Sequence, residues 1–179
     1  MSAVTQITVA AWVLLELCVR IAEGIRGKGR RERDRATRVW ISLSLAAAIA
    51  VALAARSTLQ PLRTAGVVVM WLGLVLRAWA ILALGASFRT TVEVDPGQAV
   101  VTRGPYRWIR HPSYTGLLLI VAGFGLALGN WLSLAACLVL PLPALVWRMH
   151  VEEAELDRVL GDAYRSYEAH TARLLPRVW

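Results

Sequence analysis

A chain of 179 residues that is 57% apolar leaves room for one domain and no large soluble extension. Its formal charge of +8 is unevenly placed, with long windows nearly free of charge between short arginine-rich ones. This is the pattern of a membrane protein, and it argues against nucleic acid as the partner.

The first apolar run covers residues 5–19. It begins without a basic leader and ends in a basic stretch, so the expectation is a retained span and not a cleaved signal. Within it, Glu16 lies four residues before Arg20, a spacing that predicts an ion pair on one helix face. The stretch 20–38 carries eight basic residues against three acidic ones and no interleaved aromatics to stack bases. It is expected as a cytoplasmic loop that follows the positive-inside bias and touches anionic lipid. Gly24, Gly27 and Gly29 fall in this stretch with no strand before them, so they make no dinucleotide-binding fingerprint. Cys18 and Cys137 both lie in apolar runs, with no zinc-ligand spacing and no expected disulfide.

Further apolar runs at 39–55, 65–84, 114–128 and 131–147 bring the predicted spans to five. Several are shorter than the roughly 20 residues of a standard crossing, which implies local thinning or buried flanks. Gly129-Asn130 predicts a tight turn between the last two, and Pro141 and Pro143 predict a kink or break in the fifth. Gly125 and Gly129 are candidates for a close helix contact. Arg77, inside the third run, is a functional candidate by its position, although it also lies near enough to a helix end to snorkel. With the basic stretch inside, the N-terminus is expected outside. The segment 85–113 and the tail from 148 onward then share the cytoplasmic face.

Two segments on that face carry polar chemistry. Residues 104–116 read GPYRWIRHPSYTG; Gly-Pro and His-Pro punctuate irregular backbone, and Pro112 starts a helix whose first turn has open donors. An interfacial belt of Tyr, Trp and Arg is the plainer reading. From Glu152 to Tyr167 the tail predicts one amphipathic helix, with Leu156, Val159, Leu160, Ala163, Tyr164 and Tyr167 on its apolar face. Glu155, Arg158, Asp162 and Arg165 face away. Glu152 and Glu153 flank the apolar stripe, where carboxylates need partners. Arg110, Arg148 or a cationic ligand are the candidates.

The run GPYRWIRHPSYTG, followed by Gly123, Glu152-Glu153, Leu156, Gly161, Tyr164, Tyr167 and Pro176, resembles the isoprenylcysteine carboxyl methyltransferase family. Related phospholipid N-methyltransferases share much of the pattern. Arg77, Leu84-Gly85 and Phe88 resemble the family's approach to this region, and the resemblance covers about residues 70–179. It implies an all-α, integral membrane helical bundle of about five transmembrane helices with a cytoplasmic C-terminal amphipathic helix. Residues 1–64 would be an N-terminal membrane part with the basic loop, and 65–179 the methyltransferase core. The implied cofactor is S-adenosylmethionine, held between the RHPSY segment and the tail by His111, Pro112, Tyr114, Gly116, Glu152, Glu153, Tyr164 and Tyr167. Catalytic and substrate-positioning roles fall to Arg77, Arg110, Glu153 and Arg173, with no metal. The implied partners are the bilayer and a lipidic or amphipathic small-molecule acceptor.

His170 departs from the family pattern, in which Tyr-x-x-Tyr-x-x-Arg places an arginine. Arginine grips a carboxylate at two points and histidine does not. This departure weakens the case for a carboxylate acceptor, which stands first by resemblance alone, with phospholipid or amine N-methylation as the alternative. A sterol-reductase-like NADPH oxidoreductase and a non-catalytic membrane binding protein are further readings. No internal repeat or pair of broken helices points to a transporter.

Overall fold

The structure, a computed structural model, describes residues 3–26, 32–55, 60–85 and 99–176. The chain order is α1 (Ala3–Arg26), α2 (Glu32–Ala54), α3 (Gln60–Leu84), a 3-10 turn (Gly104–Arg107), α4 (Pro112–Ala127), α5 (Trp131–Val139), α6 (Leu142–Leu160) and α7 (Asp162–Ala169). Among the described residues there is no strand, only one isolated parallel bridge between Ile109 and Ala172.

Three helical stretches are long and apolar enough to cross a membrane, namely Ala36–Ala54, Leu62–Leu84 and Trp131–Leu160. Two shorter apolar helices, Ala3–Cys18 and Pro112–Ala127, accompany them. Large apolar side chains point away from the bundle along its length: Ile7 and Leu14 on α1, Leu72, Val75 and Leu82 on α3. A water-soluble monomer does not expose apolar surface on this scale, whereas a bilayer solvates it. This is an integral membrane protein.

Two expectations are corrected in the helix bounds. The basic stretch 20–38 is largely helical, because α1 runs on to Arg26 and α2 starts at Glu32. Arg, Glu and Ala are good helix formers, and the stretch contains no proline to stop them. The tail is not one helix from Glu152 to Tyr167. Glu152 and Glu153 sit late in α6, and the chain turns at Gly161 (φ +54°, ψ −128°) before α7. That backbone region is essentially closed to residues with a Cβ.

The predicted break at the prolines is present and mild. The helical ladder lapses at Leu140 and Pro141, yet both keep right-handed helical torsions. Pro141 and Pro143 lack the N–H groups that would close the preceding turn. The 30-residue run Trp131–Leu160 is about 45 Å long, and the hydrocarbon core is only about 30 Å thick. Its end therefore projects past the apolar slab, and with it the glutamate pair.

Asn130 caps α5, accepting from Leu132 N at 2.7 Å, and Gly129 supplies the positive φ of the turn before it. The Asn130 amide also donates to Ala55 O, and Ser133 Oγ donates to Ala52 O at 3.0 Å, which ties α5 to the end of α2. The most extensive helix contact joins α3 to α4. Gly66 and Gly73 on α3 meet Gly123 and Gly116 on α4 so closely that an added Cβ would lie within 3.0 Å of backbone atoms of the facing helix. Both pairs are seven residues apart, two turns on each helix, so the antiparallel helices touch twice along one seam. Gly125 makes a similar approach to α5 at Ser133 and Leu134. The core beside the seam is built from Met70, Leu74, Leu117, Ile120, Phe124 and Leu145.

Candidate active site

At the projecting end of α6, the RHP segment and the chain after α7 lie side by side. Ala172 N donates to Trp108 O (3.1 Å), Arg110 N to Ala172 O (2.8 Å) and His111 N to Arg173 O (3.1 Å). Thr115 Oγ1 reaches Leu174 O at 2.8 Å and extends this clasp into α4. Irregular backbone is tolerated here because each segment satisfies the other.

Glu153 stands at the centre, with its side chain 9% exposed. Its Oε1 accepts from Arg110 Nε, His111 Nε2 and Arg173 Nε, each at 3.1 Å, and its Oε2 accepts from Arg173 Nη2 at 2.7 Å. A carboxylate only accepts, so His111 Nε2 carries a proton in this contact. Glu152 makes a second node. Tyr114 Oη donates to its Oε1 at 2.6 Å and Arg148 Nε at 3.0 Å, while His111 Nδ1 lies 3.5 Å from its Oε2. The His111 and Tyr114 rings stack at 5.6 Å between centroids. Arg110 is further held by the carbonyls of Glu168 (2.9 Å) and Thr171 (2.7 Å) and by the Glu168 carboxylate (3.3 Å). Three arginines thus face three glutamates around one histidine, with each buried charge paired.

Arg77 lies a layer deeper. Its Nε and Nη2 donate to the two oxygens of Glu16 at 2.6 and 3.0 Å, and its Nη1 donates to Ser113 Oγ (2.8 Å) and Ser113 O (3.0 Å). Glu16 therefore pairs with Arg77 across the bundle, and Arg20's side chain falls outside the described residues. An arginine in the apolar layer draws a carboxylate more strongly than one at the rim does.

A groove of about 680 Å³ opens beside the cluster, between residues 99–107 and the α6–α7 elbow. Val100, Val159, Leu160 and Ala163 give it apolar walls, and Thr102, Arg107, Ser166, Tyr167, His170 and Thr171 its polar groups. This is the size and mixed character of a small-molecule site. Tyr167 Oη donates to Tyr106 O at 2.7 Å, fastening α7 to the 3-10 turn. Burial, opposed by Arg110, pushes the Tyr167 phenol up to about 12. Burial, with Glu152 next, holds Tyr106 far above its ordinary value, and burial does the same for Tyr164. All three remain hydroxyl donors at neutral pH. Tyr164 is 2% exposed and its hydroxyl has no hydrogen-bond partner among the described residues.

Of the residues singled out from the sequence, His111, Tyr114, Glu152, Glu153, Arg110 and Arg173 meet in the cluster. Tyr167 alone among the implied cofactor-binding set lines the groove. Pro112 opens α4 and is buried, and Gly116 packs against Arg77 and Gly73 in the α3–α4 seam. Arg148, one of the candidate partners of the glutamates, pairs with Glu152 one helical turn on. Thr37, which accepts from Arg148 Nη1 at 2.9 Å, carries no sequence signal. Among the described residues no cluster of ligands suits a metal.

The fold and this site define an all-helical membrane protein with a polar, ion-paired chamber where its helices leave the apolar layer. The chain belongs to the isoprenylcysteine carboxyl methyltransferase (ICMT) family, whose model matches residues 65–158. It is 32% identical over 117 residues to the protein-S-isoprenylcysteine O-methyltransferase of Tribolium castaneum, covering 64% of this chain and 42% of that protein. With protein-S-isoprenylcysteine O-methyltransferase A of Arabidopsis thaliana it shares 31% over 115 residues, 63% of this chain and 58% of the other. A solved structure of the eukaryotic intramembrane Ras methyltransferase ICMT superposes with a TM-score of 0.58 at 28% identity, over 80% of this chain and 50% of that one. The chain spans about half the length of the curated relatives it matches.

Proposed function

We propose that this protein is an S-adenosylmethionine-dependent membrane methyltransferase that O-methylates a carboxylate on a lipidic acceptor of the isoprenylcysteine kind. One observation carries the reading: in a chain of this family, a groove of small-molecule size is lined by Thr171, whose carbonyl holds Arg110 of the paired-glutamate cluster. The groove suits the cofactor by its chemistry. Val100, Val159 and Leu160 offer apolar contact to a purine ring, while Thr102, Ser166 and Thr171 offer hydroxyls to a ribose or amino-acid end. The buried Tyr164 hydroxyl, without a hydrogen-bond partner among the described residues, is a further donor next to Ala163 of the groove wall.

When bound, the cofactor supplies a methyl group already activated on a sulfonium. A carboxylate acceptor is ionised at neutral pH, so no residue needs to remove a proton from it. The chain's own work is alignment and exclusion of water. Glu153 holds Arg110, His111 and Arg173 in one array, and Glu152 holds Tyr114 and Arg148. The three arginines lower the cost of bringing a further carboxylate to the chamber. The apolar helices beneath admit the acceptor's lipid chain from the bilayer.

The same reading gives five crossings, with the shorter apolar stretches Ala3–Cys18 and Pro112–Ala127 aided by local thinning. The N-terminus is outside, and the cluster and groove lie at the cytoplasmic face. The test is calorimetric titration of detergent-purified protein with S-adenosylhomocysteine and, in parallel, NADPH. It is followed by transfer of labelled methyl to an S-isoprenylated cysteine with a free carboxylate. Saturable binding of the first alone, with ester formation, is expected. Binding of NADPH alone would replace this reading with an oxidoreductase one.

A further inference from the structure

The family match begins at residue 65, so α1 and α2 lie outside it, yet each sends one polar side chain to an arginine of the interior. Glu16 of α1 takes Arg77 in a two-point ion pair. Arg77 is 6% exposed and sits in an apolar layer, and its remaining bonds fix Ser113 in the first turn of α4, two residues after His111. Thr37 of α2 is fully buried and accepts from Arg148 Nη1. Arg148, 1% exposed, presents its Nε to Glu152, which in turn holds Tyr114.

We infer that α1 and α2 complete the site, with Glu16 and Thr37 acting as positioning residues that set the Arg77 and Arg148 guanidinium groups. The consequence is a site boundary different from the chain's apparent division at residue 64. Anchoring alone needs only apolar helices, and a lipid-facing helix gains nothing by burying a carboxylate or a hydroxyl. Here both polar groups point inward, and each meets an arginine one contact away from the RHPSY segment or the glutamate pair. A guanidinium is planar and its donors are fixed in direction, so one well-placed acceptor orients the whole fork. Thr37 can do this for Arg148 because its β-branched side chain has few rotamers in a helix. Glu16 does it for Arg77 by engaging both Nε and Nη2, which locks rotation about the last bond of the side chain.

This inference rests on the methyltransferase reading for its functional half, and two readouts keep the halves apart. Glu16→Gln, Thr37→Val and the conservative Thr37→Ser would be made in the full chain. The first readout is the set of Nε–H resonances of isotope-labelled arginine in detergent micelles, which reports guanidinium geometry without any substrate. The second is S-adenosylhomocysteine affinity together with kcat and KM for methyl transfer to the isoprenylated cysteine. Glu16→Gln is expected to move the Arg77 resonance, and Thr37→Val the Arg148 resonance. Each should lower kcat by about tenfold or more while the product's affinity stays nearly constant, because misplacement is felt mainly in the transition state. Thr37→Ser, which keeps the acceptor, should restore both. Unmoved resonances would overturn the inference, and so would moved resonances with unchanged kcat and KM. If the wild-type protein neither binds S-adenosylhomocysteine nor transfers methyl, the functional reading fails by itself, and the resonances still decide whether α1 and α2 set these arginines.

Discussion

Glu153 and Arg173 meet in a two-point ion pair, Nε to Oε1 at 3.1 Å and Nη2 to Oε2 at 2.7 Å, twenty residues apart along the chain. The pair closes the chain after α7 back onto α6, beside the backbone clasp at Ile109 and Ala172. Because Arg110 and His111 share the same carboxylate, Glu153 is the hub through which three positively polarised groups are held in a small volume.

Replacing that hub is therefore costly in a specific way. Glu153→Gln keeps the shape and leaves Arg110 and Arg173 without their shared counter-charge, a loss of about 3–5 kcal/mol where a buried pair is broken from one side. A clear fall in the thermal midpoint of the purified protein is expected, together with loss of S-adenosylhomocysteine binding. His111→Ala removes a smaller contact and should cost less stability than Glu153→Gln, while still lowering affinity. Equal midpoints for wild type and Glu153→Gln would show that the hub holds nothing together.

The glycine seam makes a prediction independent of any activity. A Cβ on Gly123 would lie 2.5 Å from Met70 N and 2.6 Å from Gly66 O, backbone atoms that cannot move aside singly. Gly123→Ala must push α4 off α3, and overpacking of this kind costs about 1–3 kcal/mol. The readout is the detergent concentration at which the bundle loses its folded circular-dichroism signal. Gly161→Ala should act differently: its site is open, so only backbone strain opposes it, and the loss should be confined to the α6–α7 elbow and the groove.

Much of the fold and of the cluster is legible in the sequence, whereas the seam's Gly66 and Gly73 and two long-range pairings are not. The five apolar runs, the turn at Gly129-Asn130 and the break near Pro141 follow from hydropathy and from the chemistry of Gly and Pro, which act locally. The glutamate pair and the RHPSY run are found as motifs, and Arg148 and Arg110 are named from the sequence as candidate partners of the pair. By contrast, the pairing of Glu16 with Arg77 spans 61 positions, and that of Thr37 with Arg148 spans 111. Nothing local marks either, and a nearer cation, Arg20, offers a ready but different partner for Glu16. The tail break is hidden for another reason. The apolar spacing runs on from Leu160 to Ala163 and Tyr164 across Gly161, so periodicity reads through a residue whose backbone has turned away.

Alkaline stability gives a titration test. Tyr167 ionises at about 12 in the folded protein and at about 10 in an unfolded chain, because burial opposes the phenolate. A raised pKa means that the folded state keeps its proton longer, so this contribution is fully present below pH 10 and is lost as pH rises through about 12. Tyr106 and Tyr164 are displaced in the same direction. The thermal midpoint should therefore fall as pH rises from 10 to 12, and Tyr167→Phe should make that fall shallower. An unchanged slope in Tyr167→Phe would mean that its hydroxyl is open to water, contrary to its bond to Tyr106 O.

The final prediction concerns the acceptor. Arg77, Arg110, Arg148 and Arg173 all already donate to protein acceptors, whereas His170 stands at the groove wall where the family pattern has arginine. Its Nδ1 lies 2.8 Å from Ser166 O, and a carbonyl only accepts, so Nδ1 carries the proton and a neutral ring offers Nε2 as a bare acceptor. An acceptor carboxylate gains little from such a group. His170→Arg supplies a two-point donor instead, and KM for an isoprenylated cysteine bearing a free carboxylate should fall by several-fold, within the range of about 1 kcal/mol for an exposed ion pair. The affinity for S-adenosylhomocysteine should hold steady if the acceptor, and not the cofactor, sits beside residue 170. A lower KM with a neutral amide in place of the carboxylate would show that the new side chain acts by packing, and a higher KM for the carboxylate would place the acceptor's charged end elsewhere in the chamber.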